Sequence, residues 1–111
     1  MKILYSNAFV EDIRDISSYI TNELGNPQAS EKLLNSFFSE VKRLEESPFL
    51  GEQLPPFLRI SGVDLRRLVF KNYIIIYRVE TETVIAERVF YGRRDWFSIL
   101  LGETEETENQ I

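Results

Sequence analysis

The 111-residue sequence has no cysteine and no histidine. The first absence excludes disulfides and thiolate metal sites and fits a reducing compartment. The second removes the commonest acid/base near neutral pH and the commonest metal ligand. Neither a metal nor another cofactor is expected. No apolar run approaches the roughly 20 residues needed to cross a bilayer. No leader-type apolar stretch is visible either, because Met1-Lys2-Ile3-Leu4-Tyr5 passes at once into Ser6-Asn7. These absences together predict a cytoplasmic protein. The length and the 43% hydrophobic and 28% charged fractions are those of one globular domain with one core.

The net charge of −5 is unevenly spread. Up to Pro56 there are nine acidic and five basic residues; between Phe57 and Trp96 there are eight basic and five acidic ones. Glu103, Glu105, Glu106 and Glu108 make the C-terminal segment acidic again. Residues 1–102 are therefore expected to form the domain and 103–111 a frayed acidic tail.

Lys2-Ile3-Leu4-Tyr5 has the character of a short strand that must add to a sheet made elsewhere. Phe9, Ile13, Ile16, Ile20 and Leu24 recur at helical spacing after a capping Ser6 or Asn7. Leu24-Gly25-Asn26-Pro27 ends that helix and starts another, which carries Ala29, Leu33, Leu34, Phe37, Phe38, Val41 and Leu44. So short a link predicts a helical hairpin. Phe49 to Val63, rich in proline and glycine, reads as a loop with a short strand or turn at Phe57–Ile60. Three runs of β-branched and aromatic residues follow, Leu65–Phe70, Tyr73–Val79 and Val84–Tyr91, separated by Lys71-Asn72 and Glu80-Thr81-Glu82-Thr83. They predict three antiparallel strands. A short helix is expected over Phe97–Leu101, beginning at Asp95. The fold class is α+β: an N-terminal strand and a helical hairpin packed on a small antiparallel sheet.

Three segments resemble the RelE/ParE superfamily of bacterial toxins from type II toxin–antitoxin pairs. They are Leu24-Gly25-Asn26-Pro27-Gln28-Ala29 at the hairpin link; Gly62-Val63-Asp64-Leu65-Arg66-Arg67-Leu68 with the following Tyr73–Val79; and Val89-Phe90-Tyr91-Gly92-Arg93-Arg94-Asp95. The resemblance covers nearly all of the chain except the acidic tail. It implies a growth-inhibiting toxin neutralised by a cognate antitoxin. RelE-like members cut messenger RNA in the ribosome; ParE-like members inhibit DNA gyrase by binding.

RNA cleavage by the 2′-hydroxyl needs a base, a stabiliser of the phosphorane and a proton donor. As a nuclease the chain would use Arg67 and Arg94, which match basic positions of RelE-like sites, and Tyr91 as donor. Arg66, Lys71 and Arg93 are candidates for binding a target or a phosphate. Arg66 and Arg67 must face opposite ways on a strand, so one site can use only one of them. On the plainer reading Arg66, Arg67, Arg78 and Arg88 are simply solvated or are cross-strand partners of Glu80, Glu82 and Glu87. Two features depart from RelE-like nucleases: Ile74 replaces an arginine, and Leu100 stands where a tyrosine is usual. The acidic total also departs from ribosome-bound nucleases, whose binding is driven by counterion release. Gyrase inhibition by a binding protein is therefore the favoured expectation, with a ribosome-dependent endonuclease as the alternative and an inactive, partner-binding derivative as a third.

Overall fold

The computed structural model describes residues 1–58 and 61–92. Strand β1 (Lys2–Tyr5) leads into helix α1 (Asn7–Ser18), a π-helical turn (Tyr19–Glu23) and helix α2 (Pro27–Lys42). A 3-10 turn (Arg43–Glu45), strand β2 (Glu52–Gln53) and a second 3-10 turn (Pro56–Leu58) lead to β3 (Asp64–Phe70), β4 (Tyr73–Val79) and β5 (Thr83–Tyr91). The helix boundaries have local causes. The Ser6 hydroxyl accepts the Phe9 N–H, and Asn26 Oδ1 accepts the Ala29 N–H, each at 3.0 Å. Pro27 occupies the first turn of α2, where its missing N–H costs nothing. Gly25, with φ +62°, takes the left-handed position between the helices. The Ser17 and Ser30 hydroxyls meet at 2.7 Å, and such small side chains let the two helices approach.

Among the described residues the sheet has five strands, in the order β1-β5-β4-β3-β2. β2 to β5 are antiparallel, as the strand runs predicted, whereas β1 lies parallel to β5 and makes the sheet mixed. β2 has only two residues and no apolar alternation, so nothing in its composition marks it. Its pairing with Arg66 and Arg67 defines it. Where a strand or turn was expected at Phe57–Ile60, a 3-10 turn covers Pro56–Leu58; Arg59 and Ile60 lie outside the described residues. The expected helix at Phe97–Leu101 and the acidic tail also lie outside them.

The sheet has two apolar faces. Phe9, Ile13, Phe37, Val41 and Leu44 from the helical segment pack on Leu68, Ile75, Tyr77, Val84, Ala86 and Val89. On the other face Leu54 and Leu58 from the loop cover Leu65, Ile76 and Phe90. Each fully buried aliphatic or aromatic side chain contributes about 1.5–3 kcal/mol. β5 keeps both faces apolar by a bulge. Ile76 pairs with Arg88 and Tyr77 with Ala86, leaving Glu87 as an extra residue. The bulge moves the helix-facing set from Val84 and Ala86 to Val89 and Tyr91.

Candidate functional site

The register of β3, β4 and β5 decides which candidate side chains can meet. Arg67 pairs with Ile76, and Ile76 with Arg88, on the face away from the helices. Phe70 pairs with Tyr73, and Tyr73 with Tyr91, on the helix face. There Phe37 of α2 packs edge-on against Tyr73 at 4.8 Å, and Tyr73 against Tyr91 at 5.3 Å. Arg67 and Tyr91 thus stand on opposite faces of the sheet. Burial, then the neighbouring Tyr91, pushes the Tyr73 phenol above its ordinary pKa. Tyr91 itself remains 54% exposed. Ile74 lies on the face away from the helices, opposite Val69 and Phe90, and packs against the Leu65–Ile76–Phe90 cluster. Arg93 and Arg94 lie outside the described residues.

The other cations of β3–β5 are bound up within the fold. Arg67 pairs with Glu52 across the β2–β3 ladder. Arg78 lies 3.2 Å from Glu87 and 3.7 Å from Glu80. Arg88 holds Asp12 of α1 through two bonds, of 2.8 and 3.1 Å. Arg66 donates from Nε to Asp64 at 3.1 Å and from Nη1 to the Gly51 carbonyl at 2.9 Å. Its guanidinium also lies over the Phe49 ring, 4.9 Å from the centroid. Lys71 takes the first position of the two-residue β3–β4 turn with φ +54°, and its ammonium lies 5.5 Å from the centre of the Phe70 ring. The sequence had suggested cross-strand partners for these arginines. That holds for Arg78 with Glu87 and for Arg67, whose cross-strand partner is Glu52, whereas Arg66 and Arg88 take Asp64 and Asp12 instead.

Two roles had no signal in the sequence. Tyr77 reads as core, and its ring is fully buried. Its hydroxyl nevertheless fixes a distant loop, donating to the Pro48 carbonyl and accepting the Gly51 N–H, both at 2.8 Å. Burial raises the Tyr77 phenol pKa, and the Gly51 N–H and the Arg66 charge oppose the shift only in part. Asp12 reads as an exposed position of α1, yet it joins α1 to β5. Among the described residues no cluster of three or more carboxylates is placed to hold a metal ion. No helix among them is long and apolar enough to cross a membrane.

The helical hairpin on one face of a β1-β5-β4-β3-β2 sheet is a fold shared with solved structures. A chain from the chromosomal ParDE TA system of P. aeruginosa superposes with a TM-score of 0.65 at 18% identity, covering 84% of this chain and 97% of that one. A chain from the RelB–RelE antitoxin–toxin complex of Methanococcus jannaschii gives 0.50 at 20% identity, covering 86% and 96%. Among curated protein sequences none matches significantly. Residues 3–96 match the family model of the ParE toxin of the type II toxin–antitoxin system parDE. The chain belongs to that family and is a type II toxin with a RelE-like fold.

Proposed function

We propose that the protein arrests growth by binding and inhibiting DNA gyrase in the cytoplasm, and that a cognate antitoxin neutralises it. The observation that carries this reading is the state of the sheet's positive charge. Arg66, Arg67, Arg78 and Arg88 each have an acidic partner inside the fold. An RNA phosphate would have to displace those carboxylates, which offsets part of the counterion-release gain that drives RNA binding. Arg67 and Tyr91 stand on opposite faces of the sheet, which counts against their sharing one scissile phosphate. The family match to ParE supports gyrase as the target. The antitoxin partner is supported by the two solved relatives, one from a ParDE TA system and one from an antitoxin–toxin complex.

The test has two arms. Purified protein is added to a gyrase supercoiling assay and, separately, to a ribosome translation mixture. Blocked supercoiling with intact messenger is the expected result. Site-specific cuts in ribosome-bound messenger, abolished by Arg94→Ala, would replace this reading with the endonuclease one.

A further inference from the structure

We infer that the turn Ser47–Leu50 is the element by which this toxin grips its protein target, with Phe49 and Leu50 entering an apolar cleft whose rim is basic. The turn closes through the Leu50 N–H, which donates to the Ser47 carbonyl at 3.1 Å, and Pro48 presets its second position. At its tip Phe49 is 60% exposed and Leu50 42%. Singly exposed apolar residues are ordinary on a protein surface. This pair differs in how its backbone is held. The buried Tyr77 hydroxyl bonds Pro48 on one side and Gly51 on the other. Arg66 bonds the Gly51 carbonyl and lies against the Phe49 ring. Three side-chain bonds from two sheet residues thus fix a turn that buries neither apolar side chain of its tip.

That is the geometry of a preorganised anchor. Much of the ordering cost of binding is already met in the free protein, so an aromatic side chain entering a pocket delivers more of its burial energy as affinity. Charge selects the partner. Glu45 and Glu46 lie exposed immediately before the turn, while Arg66, the cation against the Phe49 ring, is itself paired with Asp64, so the local excess is negative. The complementary surface is an apolar cleft bordered by lysine and arginine, as on a protein that handles nucleic acid. In naming gyrase as that protein the inference rests on the proposed function; in naming the gripping element it does not.

The experiment compares wild type, the double variant Phe49→Ala/Leu50→Ala, the charge reversal Glu46→Lys and a control, Leu24→Ala, at the exposed hairpin tip. Growth arrest on induced expression without antitoxin reads target engagement whatever the target, and the supercoiling assay reads gyrase. Thermal unfolding confirms that each variant is folded. The double variant should need about tenfold more protein, or still more, for half-inhibition and should no longer arrest growth. Glu46→Lys should weaken inhibition chiefly at low salt, and Leu24→Ala should match wild type. A folded double variant that still arrests growth overturns the inference, as does a wild type that arrests nothing. So does a wild-type dimer that the double variant abolishes, because the turn would then serve self-association. Growth arrest without gyrase inhibition removes gyrase as the target, while the growth data still decide the role of the turn.

Discussion

Asp12 on α1 and Arg88 on β5 form a two-point ion pair across 76 positions of sequence, and the same carboxylate accepts the Val89 N–H at 2.8 Å. β1 covers the outer edge of β5 only as far as Ala86. Beyond it the edge groups are taken by side chains, with the Ser6 hydroxyl donating to the Glu87 carbonyl at 2.7 Å and Asp12 taking the Val89 amide. α1 therefore closes an edge that would otherwise invite strand pairing. Asp12→Ala leaves both a charge and an amide without their partner and should cost about 1–3 kcal/mol in urea unfolding. Asp12→Asn keeps an acceptor for Val89 and should cost less. Equal losses in the two variants would show that the ion pair, not the edge amide, dominates.

Tyr77→Phe removes the bonds to Pro48 and Gly51 without changing the ring's packing. The buried Gly51 N–H then has no acceptor, and the expected loss is about 1–3 kcal/mol. Amide hydrogen exchange should accelerate in the Ser47–Gln53 segment while β4 stays protected. Unchanged exchange there would mean that backbone turns alone hold the loop.

Stability at high pH follows from the phenols. Burial raises the pKa of Tyr5, Tyr73 and Tyr77 in the folded protein. A phenol whose folded pKa exceeds its unfolded value stabilises the fold fully below the unfolded value, about 10. That contribution is lost as pH rises from there through the folded value. The melting temperature should therefore be flat with respect to these groups below about pH 9 and fall above about pH 10. Tyr77→Phe should flatten part of that decline. A decline identical in wild type and variant would place the effect on Tyr5 and Tyr73.

The sequence made the elements legible wherever periodicity and punctuation agree. Phe9 and Ile13, Phe37 and Val41, and the Gly25-Asn26-Pro27 link all act as their spacing and chemistry predict. The strands from Leu65 onward are equally plain. Non-local pairing was not legible. The Glu87 bulge depends on what β4 presents opposite it, and Asp12 finds Arg88 only once the hairpin lies on the sheet. The Tyr77 hydroxyl shows the same limit: a tyrosine at a core position carries no mark of the loop it will hold. The arginines of the candidate site were easy to find, but their engagement with Asp64, Glu52 and Asp12 required the fold.

Lys71 holds φ +54° in the turn joining β3 to β4, a conformation that costs a non-glycine residue about 1–2 kcal/mol. Lys71→Gly relieves that strain at the expense of a freer unfolded chain, and its ammonium contact with Phe70 is lost. A net gain of about 0.5–1 kcal/mol is expected. The same variant removes a candidate target-binding cation. Under the gyrase reading with the Ser47–Leu50 turn as the grip, half-inhibition of supercoiling should not move.

Arg67 separates binding from catalysis with one substitution. Its pair with Glu52 is half exposed at the sheet edge, so Arg67→Ala should cost no more than about 1 kcal/mol. A phosphorane-stabilising arginine behaves differently, since its removal lowers turnover by about 10²-fold or more. A binding inhibitor that leaves Arg67 paired with Glu52 should arrest growth as well after the substitution as before it. The measurement is growth arrest by Arg67→Ala at expression matched to wild type. Abolished arrest by a folded variant would place Arg67 at the reacting phosphate and require the C-terminal segment to complete the site on the face away from the helices.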